Sequence, residues 1–316
     1  MKIPVPDKPV FQIQAVSPLE LKDRLMALHR HGLPRGDLTG WPSMDEHYSV
    51  LRGQWTLVTG IPGHGKSEWL DAVMMNLALK SNWVFAIFSP ENQPHELHLS
   101  KLMEKLLRKP FNHGPTDRIG DDEAVSSLAW MDSHFRFMKP HPDLQVPGIR
   151  SVIESCARFI NDNDEATGGV NKYGIVIDPW NELEHKRPSN QSETEYISET
   201  LSYVRQFARE FNVHVFMVAH PRILHRDKDG KRPVPTPYDV SGSAHWFNKA
   251  DNCITVWRDT NPDTRSQEVK VYVQKIRFKN VGKIGDITLR YDRVTGIYSE
   301  PLKVVDDYKR AAAVDI

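Results

Sequence analysis

Hydrophobic positions in the middle of the chain form short apolar runs separated by stretches of helical pattern. The runs predict buried strands at QWTLVTG, WVFAIFS, HFRFMKP, YGIVIDPW and VHVFMVAH. The stretches between them predict helices at SEWLDAVMMNLALK, PHELHLSKLMEKLLR, VPGIRSVIESCARFINDN and SETEYISETLSYVRQFAREF. Because the strands alternate with helices, the pattern indicates a parallel sheet covered on both faces.

The pattern changes after about residue 250, where apolar runs follow one another without helices between them. These runs predict strands at NCITVWRD, EVKVYVQKIRF, DITLRYD and GIYSE. Short connections between strands are typical of antiparallel pairing. The predicted fold class is therefore α/β, with a mostly parallel central sheet flanked by helices and an antiparallel C-terminal edge.

A separate amphipathic helix is predicted near the N-terminus, in SPLELKDRLMALHRHG. Ser17 and Glu20 have the spacing of a capping box, and Gly32 ends the segment. Its apolar stripe consists of Leu21, Leu25 and Leu28. So short a helix needs a second surface to cover the stripe. That surface belongs either to its own domain or to a neighbouring subunit, and the sequence leaves both open.

Prolines and loss of periodicity divide the chain into four parts. The first contains three prolines and is predicted to be an extended arm, and the last is predicted to fray. The predicted parts are an arm at 1–16, a linker helix for subunit docking at 17–35, a main domain at 36–303 and a tail at 304–316.

Composition narrows the class of protein. The 316 residues include 41 Lys+Arg and 41 Asp+Glu, so the formal net charge is zero. A neutral chain is not coated in basic residues for nucleic acid, although a local basic lining stays possible. Cys156 and Cys253 are the only cysteines, which excludes a disulfide framework or a four-cysteine zinc site within this chain. No apolar stretch reaches the roughly 20 residues of a membrane helix, and MKIPVPDKPVFQIQ lacks a secretory signal, so we expect a soluble, cytoplasmic protein without a membrane partner.

The strongest chemical signal is the segment GIPGHGKS, which fits the phosphate-binding pattern G-x-x-x-x-G-K-[ST] between a predicted strand and a predicted helix. Such a loop points backbone N–H groups at phosphates. Lys66 would reach the β- and γ-phosphates, and Ser67 would ligate Mg²⁺. A glycine-rich turn without a ligand is the alternative. The predicted nucleotide contacts are Gly60, Gly63, His64, Gly65, Lys66, Ser67 and Glu68.

Polar residues at the ends of three other predicted strands complete a candidate hydrolytic site. Asp178 ends an apolar strand and is predicted to hold the Mg²⁺ ion, unless it only caps a turn. Glu91 follows the strand after the phosphate loop and could activate water, unless it is a surface residue. His220 ends the next strand and could sense the γ-phosphate, unless it is structural. Carboxyl ends of parallel strands face one crevice, so we expect these side chains to lie together.

This order of motifs is that of RecA-type ATPase cores. In detail the chain resembles ring-shaped replicative DNA helicases of the DnaB-like superfamily (superfamily 4), especially the Twinkle and phage primase–helicase type. The resemblance runs from about residue 36 to 300. It is carried by FSPEN with Glu91, AHPR with His220 and Arg222, SGSA at 241–244, ADN at 250–252, WRD at 257–259, QKIRF at 274–278 with Gly282 and Gly285, and YDRVTG at 291–296.

The resemblance implies a RecA-like core that hydrolyses ATP, or another NTP, with Mg²⁺ between subunits. Glu91 would be the catalytic glutamate. Arg277 would be an arginine finger that reaches the neighbouring subunit's nucleotide, with Lys275 beside it. Without the resemblance, a solvated strand face would be the preferred interpretation of this pair. Arg258 and Tyr291 would flank the nucleotide base.

The segment after His220 is long, charged and rich in glycine and proline. A solvated connection is one interpretation. In the family this loop lines a central channel and follows the phosphates of single-stranded DNA, which needs only cations and main-chain N–H groups. The predicted DNA contacts are Arg222, Arg226, Lys228, Lys231, Arg232, Gly242 and Ser243.

The predicted function is an ATP-dependent helicase motor, a homo-hexamer or similar ring that moves 5′ to 3′ on single-stranded DNA by family resemblance. The alternatives are a RecA-like DNA-stimulated ATPase, such as a recombination or loading factor, and a monomeric P-loop kinase, which would need neither the Lys275–Arg277 pair nor the basic loop. No zinc or primase domain precedes the linker here, so no priming activity is expected, and a separate primase or polymerase is a candidate partner. No role is predicted for the acidic segment 113–127.

Overall fold

The structure is a computed structural model that describes residues 15–140, 146–224, 233–242, 244–259 and 266–301. The chain divides into two compact units between Arg35 and Gly36. In the first unit the helix α1 covers Lys22–His31 and ends at Gly32, whose φ is +81°. The Ser17 and Glu20 side chains each accept the other's backbone N–H, at 3.3 and 3.2 Å, which confirms the capping box. No residue of α1 is buried, so what covers its apolar stripe stays a prediction.

The second unit contains the remaining helices and strands of the described chain. In chain order they are β1 Asp37–Leu38, α2 Pro42–Asp45, β2 Ser49–Val50, β3 Trp55–Thr59, α3 Lys66–Ser81, β4 Trp83–Phe88, α4 His95–Leu107, α5 Asp121–His134, β5 Phe135–Phe137, α6 Ile149–Thr167, β6 Lys172–Ile177, α7 Glu193–Glu210, β7 His214–Val218, α8 His245–Lys249, β8 Asn252–Arg258, β9 Glu268–Ile276, β10 Gly285–Tyr291 and β11 Tyr298–Ser299. Short 3₁₀ turns cover Trp180–Glu182 and Pro237–Asp239.

The main sheet has nine strands in the order β11-β10-β9-β8-β3-β7-β6-β4-β5. Pairing is parallel from β8 to β5, and β9, β10 and β11 pair antiparallel at the other edge. This confirms the predicted α/β class with an antiparallel C-terminal edge. The strand β3, which leads into the phosphate-binding motif, lies between β7 and β8. The carboxyl ends of β3, β4, β6 and β7 therefore meet at one edge of the sheet.

Hydrophobic cores cover both faces of this sheet, as expected for a parallel sheet whose strands are apolar throughout. One core packs α3 and α4 against the strands, with Trp69 and Leu102 fully buried. The other packs α6 and α7 against the opposite face and contains Ile153 and Leu201. Both cysteines are buried and free. The site at the sheet edge is thus carried by strands that are held rigidly from both sides.

The acidic segment without a predicted role contains the start of a helix that the sequence analysis missed. Asp121, Asp122 and Glu123 form the first turn of α5, where negative charge is favoured by the helix dipole. The Glu123 carboxylate accepts the Gly120 backbone N–H at 2.9 Å, which caps the helix. These three acidic residues of the segment are therefore explained by their position in the first turn of α5.

A buried histidine at the start of β7 leads to a prediction about pH. The His214 ring lies 2.7 Å from the Leu51 carbonyl through Nδ1 and 2.9 Å from Thr56 Oγ1 through Nε2. Burial lowers the pKa of His214 to about 4, although the hydrogen bond to Leu51 raises it. The folded protein thus keeps this ring neutral at a pH where the unfolded chain binds a proton.

We expect the free energy of unfolding to fall on acidification. Below about pH 6.5 the unfolded chain binds a proton at His214, whereas the folded protein does so only towards pH 4, so the unfolded state is favoured. Between about pH 7.5 and pH 5.5 the loss from this group is about 1 kcal/mol. His214→Gln removes the titrating ring, so its urea-unfolding midpoint should fall less steeply over the same range. A variant whose midpoint falls as steeply as that of the wild type would contradict this assignment.

Candidate functional site

The phosphate-binding segment forms the turn between β3 and α3. Gly60, Gly63 and Gly65 have φ values of +148°, +80° and +90°, which side chains other than glycine rarely adopt. A Cβ on Gly60 would also lie 2.2 Å from the Val256 carbonyl oxygen, so no larger residue fits there. The Lys66 ammonium donates to the Gly60 carbonyl at 3.0 Å and so lies folded over the turn. Backbone curvature and helix N-terminus together form an anion-binding cradle.

A cavity of about 380 Å³ opens over this cradle. Its wall brings together the predicted nucleotide residues except Gly60, from α3, β8, β10 and the turns that follow β3, β4 and β7. Those lining it are Gly63, His64, Gly65, Lys66, Ser67, Glu68, Glu91, His220, Arg258 and Tyr291. Its volume and donors fit the polyphosphate of a nucleotide.

The Asp178 carboxylate lies behind the cavity, at the end of β6, and is 3% exposed. Its Oδ2 accepts from the Asn92 amide at 3.4 Å, whereas Oδ1 is buried without a hydrogen-bond partner among the described residues. Burial raises the pKa of Asp178 to about 6, against the lowering effect of the Ser67 hydroxyl. An unpartnered carboxylate oxygen beside a hydroxyl fits a Mg²⁺ ligand set.

Glu91 and His220 lie next to each other in the cavity wall. Glu91 Oε2 lies 3.9 Å from His220 Nε2, and the Glu91 side chain is 45% exposed. Burial and the nearby Glu182 raise the pKa of Glu91, and Lys66 lowers it. Burial and Lys66 lower the pKa of His220 to about 4, so this ring is neutral at neutral pH. A carboxylate whose pKa is raised is a better proton acceptor, which suits a general base.

The far end of the cavity is aromatic and charged. The Tyr291 ring packs against Tyr298 at 4.9 Å, and its hydroxyl donates to Glu68 Oε2 at 3.5 Å. His64 Nδ1 accepts the Arg258 backbone N–H at 3.2 Å, which fixes the cradle against β8. A second cavity of about 540 Å³ adjoins the first and shares Glu68, Tyr291 and Lys101 with it.

Lys275 and Arg277 do not line the cavity of their own chain. Arg277 Nε lies 2.8 Å from the buried Asp251 carboxylate, and its Nη2 donates to the Asn248 and Ala250 carbonyls at 3.2 Å. The Lys275 ammonium donates to the Phe247 carbonyl. Both cations are therefore held at the end of β9 by their own chain.

The described ends of the predicted DNA loop meet beside His220. Pro221 pairs with Val240 in an isolated β-bridge, and the Arg222 N–H donates to the Asp239 carbonyl at 2.7 Å. Gly242 has φ of +94°. The predicted contacts Arg226, Lys228, Lys231, Arg232 and Ser243 lie outside the described residues.

Three side chains of this site were not predicted from the sequence. Asn92 hydrogen-bonds Asp178, and Lys101 lines both cavities from α4. Asn181 Oδ1 accepts the His220 backbone N–H at 2.9 Å and so joins the ends of β6 and β7. Asn92 could have been predicted because it directly follows Glu91 in the sequence. Lys101 and Asn181 are brought to the site only by the packing of α4 and the order of the strands.

Comparison with known proteins decides the family. The model of the DnaB-like helicase C terminal domain matches residues 36–300. The chain belongs to the DnaB-like helicase family. The match covers the whole cradle, both carboxylates and the β9 cations of this DnaB-like domain.

Curated relatives agree with this assignment. The chain is 40% identical over 278 residues to the Twinkle homolog protein, chloroplastic/mitochondrial, of Arabidopsis thaliana, which covers 85% of this chain and 37% of that protein. It is 23% identical over 273 residues to the replicative DNA helicase DnaB of Geobacillus stearothermophilus, with 85% and 58% covered. The chain thus spans about two fifths to three fifths of the length of these relatives.

Solved structures share the fold of the DnaB-like domain. The ATPase domain of G40P superimposes with a TM-score of 0.71 at 18% identity, covering 89% of this chain and 98% of that chain. A DnaB-like replicative helicase, solved in a study of its interactions with primase, gives 0.69 at 17% identity and covers 91% and 68%. These matches confirm the RecA-like architecture. None of the helices in the described ranges is long and apolar enough to span a membrane.

Proposed function

We propose that this DnaB-like domain is an ATP-dependent motor that moves 5′ to 3′ on single-stranded DNA as a hexameric ring and separates the strands of a duplex. The observation that carries the proposal is the convergence, at one sheet edge, of the phosphate cradle, Glu91, Asp178 and His220 with the base of the predicted DNA loop. The Geobacillus stearothermophilus relative is named a replicative DNA helicase, which supports the same function.

The cradle would bind the polyphosphate, with Lys66 leaving its carbonyl partners to meet the phosphates. Ser67 and Asp178 would hold Mg²⁺, which supplies positive charge to the phosphates when bound. Glu91 would accept a proton from the attacking water, because its raised pKa makes it a stronger base. In the reaction the O–P bond to the leaving ADP breaks as the water oxygen bonds to the γ-phosphorus.

The second half of each site would come from a neighbouring subunit. Arg277 and Lys275 are tied to their own chain away from its cavity, which supports a role at the next subunit's phosphates. An arginine finger of this kind contributes about 10³ to 10⁵ in rate. Hydrolysis would therefore require the assembled ring.

His220 would connect hydrolysis to DNA movement. The ring of His220 lies beside Glu91, and its backbone N–H is held by Asn181. The next residue, Pro221, pairs with Val240, so both limbs of the DNA loop start from this point. A change at the γ-phosphate that moves His220 would thus shift the loop.

The test is unwinding of a forked duplex by the purified protein with ATP and Mg²⁺. We expect strand separation, together with single-strand binding that weakens steeply with salt, because backbone contacts release counterions in proportion to the phosphates neutralised. If the logarithm of the DNA-binding constant did not change with the logarithm of salt concentration, contacts to the DNA backbone would be contradicted.

ATPase activity stimulated by single strands without strand separation would favour a recombination or loading factor instead. If light scattering showed a strict monomer that hydrolyses ATP at the full rate, the proposed ring would be rejected.

Nucleotide preference, a separate primase or polymerase partner and a cytoplasmic location remain proposals. The Arabidopsis thaliana relative is named for chloroplast and mitochondrion, and one structural relative was studied with primase. Pull-down of a candidate primase by this domain would test the partner.

A further inference from the structure

Lys101 is a cation of the nucleotide site that no predicted motif contains. It lies on α4, its side chain is 39% exposed, and it lines both the cradle cavity and the adjoining one. Among the residues that the structure describes, Glu68 and Tyr291 share that double position. Lys101 therefore stands where the phosphate end of the site meets its aromatic end.

Two acceptors hold the Lys101 ammonium in place. It lies 3.1 Å from Glu68 Oε1 and donates to Asn92 Oδ1 at 3.4 Å. A lysine ammonium has more N–H donors than these described acceptors use. Burial lowers the pKa of Lys101, but Glu68, Asp71 and Asp178 raise it above its ordinary value, so the charge is kept. The group combines a fixed position, a positive charge and spare donor capacity.

Lys105 shows that this charge is not needed to neutralise Glu68. The Lys105 ammonium lies 2.7 Å from Glu68 Oε2, and its side chain is only 3% exposed. It is also enclosed by the turn after β10, since a Cβ on Gly296 would lie 2.9 Å from Lys105 Nζ. One carboxylate thus faces two ammonium groups. The enclosed Lys105 balances it, and with the more exposed Lys101 these three groups together carry a net positive charge.

We propose that Lys101 is a second nucleotide-binding lysine, which donates to the phosphate chain of the bound nucleotide from α4, with Glu68 and Asn92 as its positioning residues. The proposal rests on nucleotide binding at the cradle. It assigns Glu68 a specific task, because a carboxylate next to a polyphosphate is unfavourable unless it orients a cation. It also makes α4 part of the nucleotide site.

The test is fluorescence titration of the full chain with labelled ADP and Mg²⁺, with unlabelled ATP and inorganic tripolyphosphate as competitors. Lys101→Met should weaken all three by roughly tenfold, since a charge-assisted hydrogen bond is lost. Lys101→Arg should restore most of the affinity because it keeps the charge. The matched control is Lys172→Met, since Lys172 is 34% exposed and paired with Asp37 at 2.7 Å but begins β6, away from the carboxyl edge. It should bind as the wild type does.

Unchanged affinity in Lys101→Met would overturn the proposal, as would equal losses in Lys101→Met and Lys172→Met. Equal losses in the Met and Arg variants with a lowered melting temperature would also overturn it, because they would show that Lys101 only packs α4. A loss for ADP and ATP but not tripolyphosphate would place the contact on the nucleoside and reject the phosphate assignment. Failure of the wild type to unwind DNA while it binds nucleotide would affect only the proposed helicase function.

Discussion

Arg277→Ala is expected to lower ATP turnover by about a thousandfold or more while nucleotide affinity changes by less than about threefold. The reason is the position of the guanidinium, which lies outside the cavity of its own chain and is held by Asp251 and the Asn248 and Ala250 carbonyls. A residue that acts only on a neighbour's transition state lowers turnover without affecting ground-state binding. Steady-state ATPase rates and equilibrium titration with labelled ADP measure the two quantities separately.

Mixed rings show whether the arginine acts between subunits. By itself, each of Arg277→Ala and Glu91→Gln should hydrolyse ATP only at its strongly reduced rate. A mixture contains interfaces that pair an intact Glu91 from the first variant with an intact Arg277 from the second, and should regain activity. No recovery in rings confirmed by light scattering would contradict action in trans. The control is Arg136→Ala, because Arg136 lies on β5, at the edge of the sheet farthest from β9, and pairs with Asp132 of its own chain at 2.9 Å.

Glu91→Gln should lower turnover by about 10² to 10⁴, the usual contribution of a general base. The amide keeps the size of the side chain but cannot accept the proton of the attacking water. Binding of ATP with Mg²⁺ should persist, because the cradle and Asp178 are unchanged. Rapid-quench measurement of the hydrolysis step on pre-bound ATP distinguishes a loss of chemistry from a loss of binding.

The pH profile of turnover gives an independent check on Glu91. Its pKa is raised by burial and by Glu182, so turnover should decline on acidification as the carboxylate takes up a proton. Glu182→Gln removes a neighbouring negative charge and should lower the pKa of Glu91, which moves the acid limb of the profile to lower pH. An acid limb that stays in place would show that another group titrates. Wild-type turnover in Glu91→Gln would reject its catalytic role outright.

Much of the fold was predictable because its signals are local. The helices α6 and α7 carry apolar residues at helical spacing over many turns, and their predicted bounds agree with the structure to within a few residues. The helix α3 is buried along most of its length, and its predicted bounds agree equally well. The helix α5 was missed because its first turn is acidic and only Ser127, Met131 and His134 are buried, which leaves a weak apolar stripe. The strands β1 and β2 have two residues each, too few for any period to be seen.

The candidate site likewise has a part that is encoded locally in the sequence and a part that depends on tertiary packing. The phosphate cradle is contiguous in sequence, and its glycines and lysine serve one short turn, so the motif determined it without any tertiary information. Membership of the family followed from several such local motifs in order. Zero net charge, by contrast, said little, since charge acts through where it is placed rather than through its sum.

What only the tertiary structure decided are the contacts between elements distant in the chain. The convergence of Lys101 and Lys105 on Glu68 depends on how α4 packs beside α3, and the Asn181 bond to His220 depends on β6 lying next to β7. The capture of Arg277 by Asp251 depends on the pairing of β9 with β8. The sequence by itself determined the local elements and the candidate residues for the chemistry, because turn geometry and helix period are encoded by near neighbours. Which of them meet was decided by the strand order, since packing of the sheet brings together side chains that no local pattern connects.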